Sequence, residues 1–258
     1  MSDLFDVAGK TALVTGGSRG IGLMIARALV QAGGRVVISA RKVGELEAAA
    51  AELSRAGECE AIPADLSTPE GARALADAVS GRFDALQILV NNAGASWGAP
   101  LEEFPASGWD RVIHTNLEAV FHLTVGLLPA LRAGASAEDP ARVINIGSVD
   151  GIRVPSTDTY SYSAGKAAVH MLTRHLAKRL APEQITVNAI APGPFESKMM
   201  AFMLDDPDRR ATVEQMVPLG RIGRPDDVAG LTLFLASRAG SYLTGAVIPL
   251  DGGITGCG

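Results

Sequence analysis

The sequence predicts a single α/β domain built on a doubly wound parallel sheet of about seven strands. Three observations predict it. Short β-branched runs alternate with longer Ala/Leu-rich segments of helical period, the pattern of repeated strand–helix units. Glycine is in surplus, 29 residues where an average usage of about 7% would give roughly 18, so the backbone must turn tightly or be closely approached in several places. No Pro/Ser-rich linker and no tandem repeat divides the 258 residues, and α/β chains of that length commonly form one domain.

In chain order, the first strand is expected at Thr11–Thr15 (TALVT), and the helix Gly20–Ala32 opens straight after the glycine-rich loop. Arg35–Ser39 (RVVIS) follows Gly33-Gly34, and the Ala/Leu/Glu segment Val43–Ala56 follows it as a helix. Cys59–Pro63 (CEAIP) and the helix Thr68–Ser80 form the third unit. Leu86–Asn91 (LQILVN) precedes the long helical pattern Gly108–Leu131, and the small, polar stretch Ala133–Pro140 (AGASAEDP) reads as a loop. Arg142–Gly147 (RVINIG), the helix Tyr160–Leu180, Thr186–Ala191 (TVNAIA), the helix Pro225–Ala236 and Ala246–Leu250 (AVIPL) complete the pattern.

Composition narrows the function. A hydrophobic content of 47% and a mean hydropathy of +0.21 suffice for a sizeable core. The net charge of −5 argues against nucleic acid, which wants clustered excess Lys and Arg. No apolar run reaches the ~18 residues of a membrane helix, and MSDLFDVAGK lacks the basic and apolar regions of a secretion signal, so a cytoplasmic protein is expected. Cys59 and Cys257 have no CxxC spacing and are expected as reduced thiols. His114, His122, His170 and His175 lack metal-ligand spacing, so no metal is expected.

The first chemical motif is Thr15-Gly16-Gly17-Ser18-Arg19-Gly20-Ile21-Gly22, between a strand and a helix. The spacing of Gly16, Gly20 and Gly22 lets a pyrophosphate approach the N–H groups and positive dipole of a helix N-terminus. An ordinary strand–helix turn is the plain alternative. The same residues match Gly-x-Ser-x-Gly, the nucleophile elbow of a hydrolase, but an elbow on the first strand is misplaced and no histidine follows His175 to serve as the late base. Dinucleotide sites usually place an acid about 20 residues on, to hold the ribose 2′-hydroxyl. Here the place reads Ser39-Ala40-Arg41-Lys42, where no carboxylate repels a 2′-phosphate and Arg41 can hydrogen-bond one. Arg19 could supply a second cation. NADP(H) is therefore expected over NAD(H).

The second motif is Tyr162-Ser163-Ala164-Gly165-Lys166 on a helix. Tyr162 and Lys166, at i and i+4, share a face, so the ammonium is expected to stabilise a phenolate and lower the phenol pKa from about 10. Ser148, at the end of a strand where open α/β sheets bind ligands, could hold a carbonyl oxygen beside Tyr162.

These motifs, in this order and over essentially the whole chain, resemble the classical short-chain dehydrogenases/reductases and imply their Rossmann fold. Asp65-Leu66 looks like the family's adenine contact, Asn91-Asn92-Ala93-Gly94 like the segment bracing its central sheet, and Pro192-Gly193 like the turn flanking the nicotinamide. Asn116, Ser148, Tyr162 and Lys166 look like its catalytic tetrad. The resemblance implies hydride transfer from NADPH to a ketone carbon, with Tyr162 as general acid and Lys166 lowering its pKa and holding the nicotinamide ribose. Ser148 would bind the carbonyl oxygen, and Asn116 a proton-relaying water. The Ser148-to-Tyr162 interval is one residue longer than in many members, which implies a reshaped intervening loop.

Within the family the likeness is to 3-oxoacyl reductases, including the rhamnolipid-associated type, carried by Asn145–Val149, Ser96-Trp97-Gly98 and Ser136–Val143. It implies a 3-oxoacyl thioester on an acyl-carrier or CoA arm, and a homotetramer. Another apolar ketone, a sugar, a steroid-like alcohol, or a non-catalytic NADPH sensor are the alternatives. Phe195, Met199, Met200, Phe202, Met203 and Met216 fall in a segment, about 193–216, that the family uses as a substrate lid; flexible thioethers suit an adaptable apolar wall, and a helix packed on the body would look the same. Arg132, Arg174, Lys178 and Arg179 are candidate cations for an acyl-carrier protein, with a solvated helix face as the alternative.

Overall fold

In the computed structural model, which describes residues 2–198 and 200–257, seven parallel strands form one sheet in the order β3-β2-β1-β4-β5-β6-β7. They are β1 Thr11–Thr15, β2 Arg35–Ala40, β3 Cys59–Pro63, β4 Ile88–Asn91, β5 Ala141–Ile146, β6 Ile185–Pro192 and β7 Val247–Leu250. The expected strands are all present, with ends displaced by at most two residues. The order reverses direction between β1 and β4, the crevice where open sheets of this type take ligands.

The helices are α1 Gly20–Gln31, α2 Val43–Leu53, α3 Pro69–Ser80, α4 Ala106–Ile113, α5 Ala119–Gly126, α6 Leu128–Ala133, α7 Tyr160–Leu180, α8 Ala201–Leu204, α9 Pro207–Gln215 and α10 Pro225–Ala236. Alternating strand residues feed two cores. Ala12, Val14, Ile38 and Ile144 meet Ile25 and Leu29 of α1 and Leu235 of α10 on one face. Leu13, Val37, Leu89 and Val143 meet Leu75 of α3, Leu123 of α5 and Leu180 of α7 on the other. Both faces of the sheet are therefore covered, as the near-continuous apolar strands require.

The single helix expected over Gly108–Leu131 is instead four pieces. After α4, residues His114–Glu118 wind as a π turn, and α5 and α6 part at Leu127. Pro129, in the first turn of α6, has no N–H to continue the ladder. The cause of the π turn lies across the fold. The turn presents the Asn116 amide to the Ala95 backbone, accepting from its N–H at 2.7 Å and donating to its C=O at 2.9 Å, and such bulges cluster at functional sites.

A buried polar chain ties the middle of the sheet to both flanking helices. Asn91 Nδ2 donates to Asn145 Oδ1 at 2.9 Å and to Thr124 Oγ1 of α5 at 3.2 Å, and Asn145 Nδ2 donates to Thr173 Oγ1 of α7 at 2.9 Å. All four side chains are buried, and their mutual satisfaction is what makes such burial tolerable.

Candidate active site

A cleft of about 790 Å³ runs across the C-terminal ends of the strands. Its lining includes every residue expected at the site except Asn116, which is 1% exposed and lies just beneath the wall through its bonds to Ala95.

The glycine loop forms one end. Gly16 sits at φ +65°, a conformation that favours glycine, and a Cβ at Gly22 would collide with Gly16 O and Asn92 Nδ2. Asn92 holds the loop from across β1, donating from Nδ2 to Thr15 O at 2.8 Å and to Gly16 O at 3.2 Å. Thr15 Oγ1 in turn accepts from the N–H groups of Asn92 and Ala93 at 2.9 and 3.0 Å. Bare backbone at the start of α1 is the cradle that a pyrophosphate needs.

Beyond the loop stand Arg41, Asp65 and Leu66. The stretch Ser39–Lys42 carries no carboxylate, as expected, but Asp65, expected at the adenine, and Glu45, not expected at the site, both lie against its cations. Arg41 Nε lies 3.9 Å from Asp65 Oδ1, and Glu45 in the first turn of α2 pairs with both Arg19 at 3.3 Å and Lys42 at 2.7 Å. Glu45 was missed because its partners come together only when the loop after β1 and the turn after β2 are brought side by side.

At the other end Ser148, Tyr162 and Lys166 converge. Ser148 caps the turn after β5, its Oγ accepting from Asp150 N at 3.1 Å. Lys166 Nζ donates to Ile146 O at 2.6 Å and lies 5.6 Å from the centre of the Tyr162 ring. The expectation that Lys166 lowers the Tyr162 pKa is not met. Burial pushes the phenol up to about 12; a hydrogen bond with Ser148 draws it down and the Asp150 charge adds to the rise. Burial also pushes Lys166 down to about 8. The ammonium is directed at a carbonyl and over the ring face, which accounts for its small effect on the phenol.

Pro192 and Gly193 close the floor, where a Cβ on Gly193 would come within 2.9 Å of Asp251 Cα. Met200, Met203, Val213 and Met216 line the opposite wall with Phe195. Met200 and Met203 also pack against Leu204, Val213 and Ile222, so this segment is at once apolar wall and packed helix pair. Met199 and the Phe202 side chain lie outside the described residues.

None of the four cations expected to meet a carrier protein lines the cleft. Arg132 and Arg179 both pair with Glu183, at 2.7 and 3.1 Å, beyond the end of α7 that lies away from Tyr162. Arg111, Arg153 and Lys198 stand on the cleft wall instead. Asp150 lines the cleft as well; burial raises its pKa, and the Arg153 charge opposes that rise.

The family model described as "Enoyl-(Acyl carrier protein) reductase", of the short-chain dehydrogenase type, matches residues 16–255. The chain belongs to the short-chain dehydrogenase/reductase family. The rhamnolipids biosynthesis 3-oxoacyl-[acyl-carrier-protein] reductase of Pseudomonas aeruginosa is 53% identical over 98% of this chain and 99% of its own. The 3beta-hydroxysteroid dehydrogenase 1 of Eggerthella lenta is 38% identical over 97% of this chain and 95% of its own. Among solved structures, the Pseudomonas aeruginosa RhlG/NADP active-site complex superposes with a TM-score of 0.96 at 52% identity, covering 99% of this chain and 100% of that one. An oxidoreductase with a single Rossmann domain is thereby established, and no helix among the described residues is long and apolar enough to cross a membrane.

Proposed function

We propose that the protein reduces the ketone of a 3-oxoacyl thioester to a secondary alcohol, with NADPH as reductant. The observation that carries this reading is one continuous cleft joining the glycine-loop cradle to Tyr162, Ser148 and Lys166 beneath a Met-rich wall. The relatives that act on 3-oxoacyl groups of carrier proteins support the substrate class, and the solved NADP complex supports the cofactor.

The residues present fit that cofactor. Gly16, Gly20 and Gly22 line the cleft with no side chains of their own, Asn92 packs against Gly16 and Gly22, and Arg19, Arg41 and Lys42 line the same cleft as cations suited to an extra phosphate. When bound, NADPH supplies the hydride. The chain's own residues handle the oxygen. Ser148 and Tyr162 offer hydroxyl donors to the carbonyl oxygen as negative charge develops on it, the largest expected contribution to rate. With its pKa at about 12, Tyr162 is protonated at working pH and gives its proton to the forming alkoxide. Lys166, over the ring, meets the phenolate left behind, and Asn116 secures the Ala95 backbone on the adjacent wall.

Acyl-carrier docking near Arg111, Arg153 and Lys198, a lid at 193–216 that closes over the acyl chain, and a cytoplasmic homotetramer belong to the same reading. Exposed Phe121 and Val125 on α5 and Met171 on α7 support subunit contact through that face. NADPH oxidation measured over 3-oxoacyl thioesters of graded chain length, simple ketones, ketosugars and 3-oxosteroids tests the substrate class; a preference for sugars would overturn it. Tyr162→Phe should lose about 10²- to 10⁴-fold in turnover with unchanged NADPH affinity by fluorescence titration, and an undiminished rate would remove the acid.

A further inference from the structure

We propose that Glu45 is a built-in competitor for the cofactor's 2′-phosphate: a carboxylate that occupies Arg19 and Lys42 when the cleft is empty and narrows the preference for NADP(H) over NAD(H). The inference rests on the reading that the Arg19 side of the cleft receives the 2′-phosphate.

The geometry is specific. Glu45 Oε1 lies 2.7 Å from Lys42 Nζ and Glu45 Oε2 lies 3.3 Å from Arg19 Nη1, so its two oxygens bridge cations from two separate turns. All three side chains line the cleft. The Lys42 hydrogen bond and the Lys42, Arg19 and Lys198 charges hold the Glu45 carboxyl below its ordinary range despite opposing desolvation, so it is ionised at neutral pH. Lys198 reaches this cluster from the segment after β6, whose Ser197 would lie 3.3 Å from a Cβ on Gly20. The glycine loop, the start of α2 and the lid segment thus meet around one carboxylate.

A phosphate that enters must take donors from Glu45 and then sit beside its charge. A phosphomonoester near neutral pH carries about −1.5 to −2 charges, so the repulsion is felt by the phosphorylated ribose and barely by a ribose hydroxyl. The pairs are exposed, with side-chain exposures of 53%, 42% and 62% for Arg19, Glu45 and Lys42, and solvent screens them. The effect on affinity is therefore a modest factor, on the order of three- to tenfold.

The test is calorimetric titration of the full-length protein with adenosine 2′,5′-bisphosphate and with ADP, which reports binding without turnover. Glu45→Gln should bind the bisphosphate about three- to tenfold more tightly than the parent, with ADP affinity unchanged. Unchanged or weaker bisphosphate binding overturns the proposal, the weaker case meaning that Glu45 sets the cations in place for the ligand. Arg19→Ala separates the two levels. If it binds the bisphosphate as the parent does, the 2′-phosphate does not lie at this wall and the underlying reading falls as well. If it binds weakly while Glu45→Gln gains nothing, only the competitor role is lost.

Discussion

Acidification should weaken this protein through His170, and the amount follows from its surroundings. His170 lies one turn beyond Lys166 on α7, 4% exposed, and its Nε2 has no hydrogen-bond partner among the described residues. It packs so closely beneath the turn that carries Ser148 that a Cβ on Gly147 would collide with Nε2, and one on Gly151 would lie 2.9 Å from Cε1. Burial, then the Lys166 charge, pushes its pKa from 6.5 down to about 4; a Gly151 backbone hydrogen bond opposes this and the Arg174 charge adds to it. A folded value below the unfolded one means that both states are neutral above about pH 6.5. As pH falls from there toward 4, the unfolded chain takes up a proton that the folded chain refuses, so stability is lost. The loss amounts to about 2 kcal/mol at pH 5 and about 3 kcal/mol below pH 4. Urea unfolding of the parent and of His170→Gln at pH 7.5 and 5, at one fixed chain concentration, isolates this part, because the carboxylates titrate alike in both. An equal loss in the two proteins would refute the reasoning and show that His170 is protonated without cost.

Asn92→Ala removes two hydrogen bonds to Thr15 O and Gly16 O; the thermal midpoint should fall by the equivalent of about 1–3 kcal/mol and NADPH affinity should fall with it, as read by fluorescence titration. The Lys166 ammonium, pushed down to about 8 by burial, should be lost as pH rises through that value in the free enzyme. The pH profile of kcat/KM for NADPH, which reports free-enzyme groups, should therefore decline above about pH 8, and a level profile to pH 10 would count against a role for the charge. Gly230 lies within α10, and apart from its neighbours and the backbone of its own helix nothing comes within 4 Å of where a Cβ would stand, so Gly230→Ala should raise unfolding stability by about 0.5–1 kcal/mol.

Strand positions, the glycine loop and the Tyr162–Lys166 pair were legible because each depends on residues close together in the chain. A buried parallel strand is a short apolar run, and a phosphate cradle needs glycines at fixed spacing. The break at His114–Glu118 was not legible, since the apolar period continues through it and its cause, the Ala95 backbone, lies about 20 residues away in the chain and reaches Asn116 only in the fold. The pKa values were misread for a related reason. Spacing correctly placed Lys166 beside Tyr162, but the depth of burial and the direction of the ammonium toward Ile146 O are tertiary facts.

What the sequence determined by itself is the order of strand and helix, the backbone freedom at the phosphate loop, and the chemical groups available to a ketone, because these reside in local pattern and residue type. What only the tertiary structure decided is which charges meet. Arg19, Lys42 and Glu45 form one cluster, Arg132 and Arg179 are committed to Glu183 away from the cleft, and His170 lies beneath the turn that carries Ser148. Coulomb interactions and desolvation depend on distance and burial in space, and neither is set by separation along the chain.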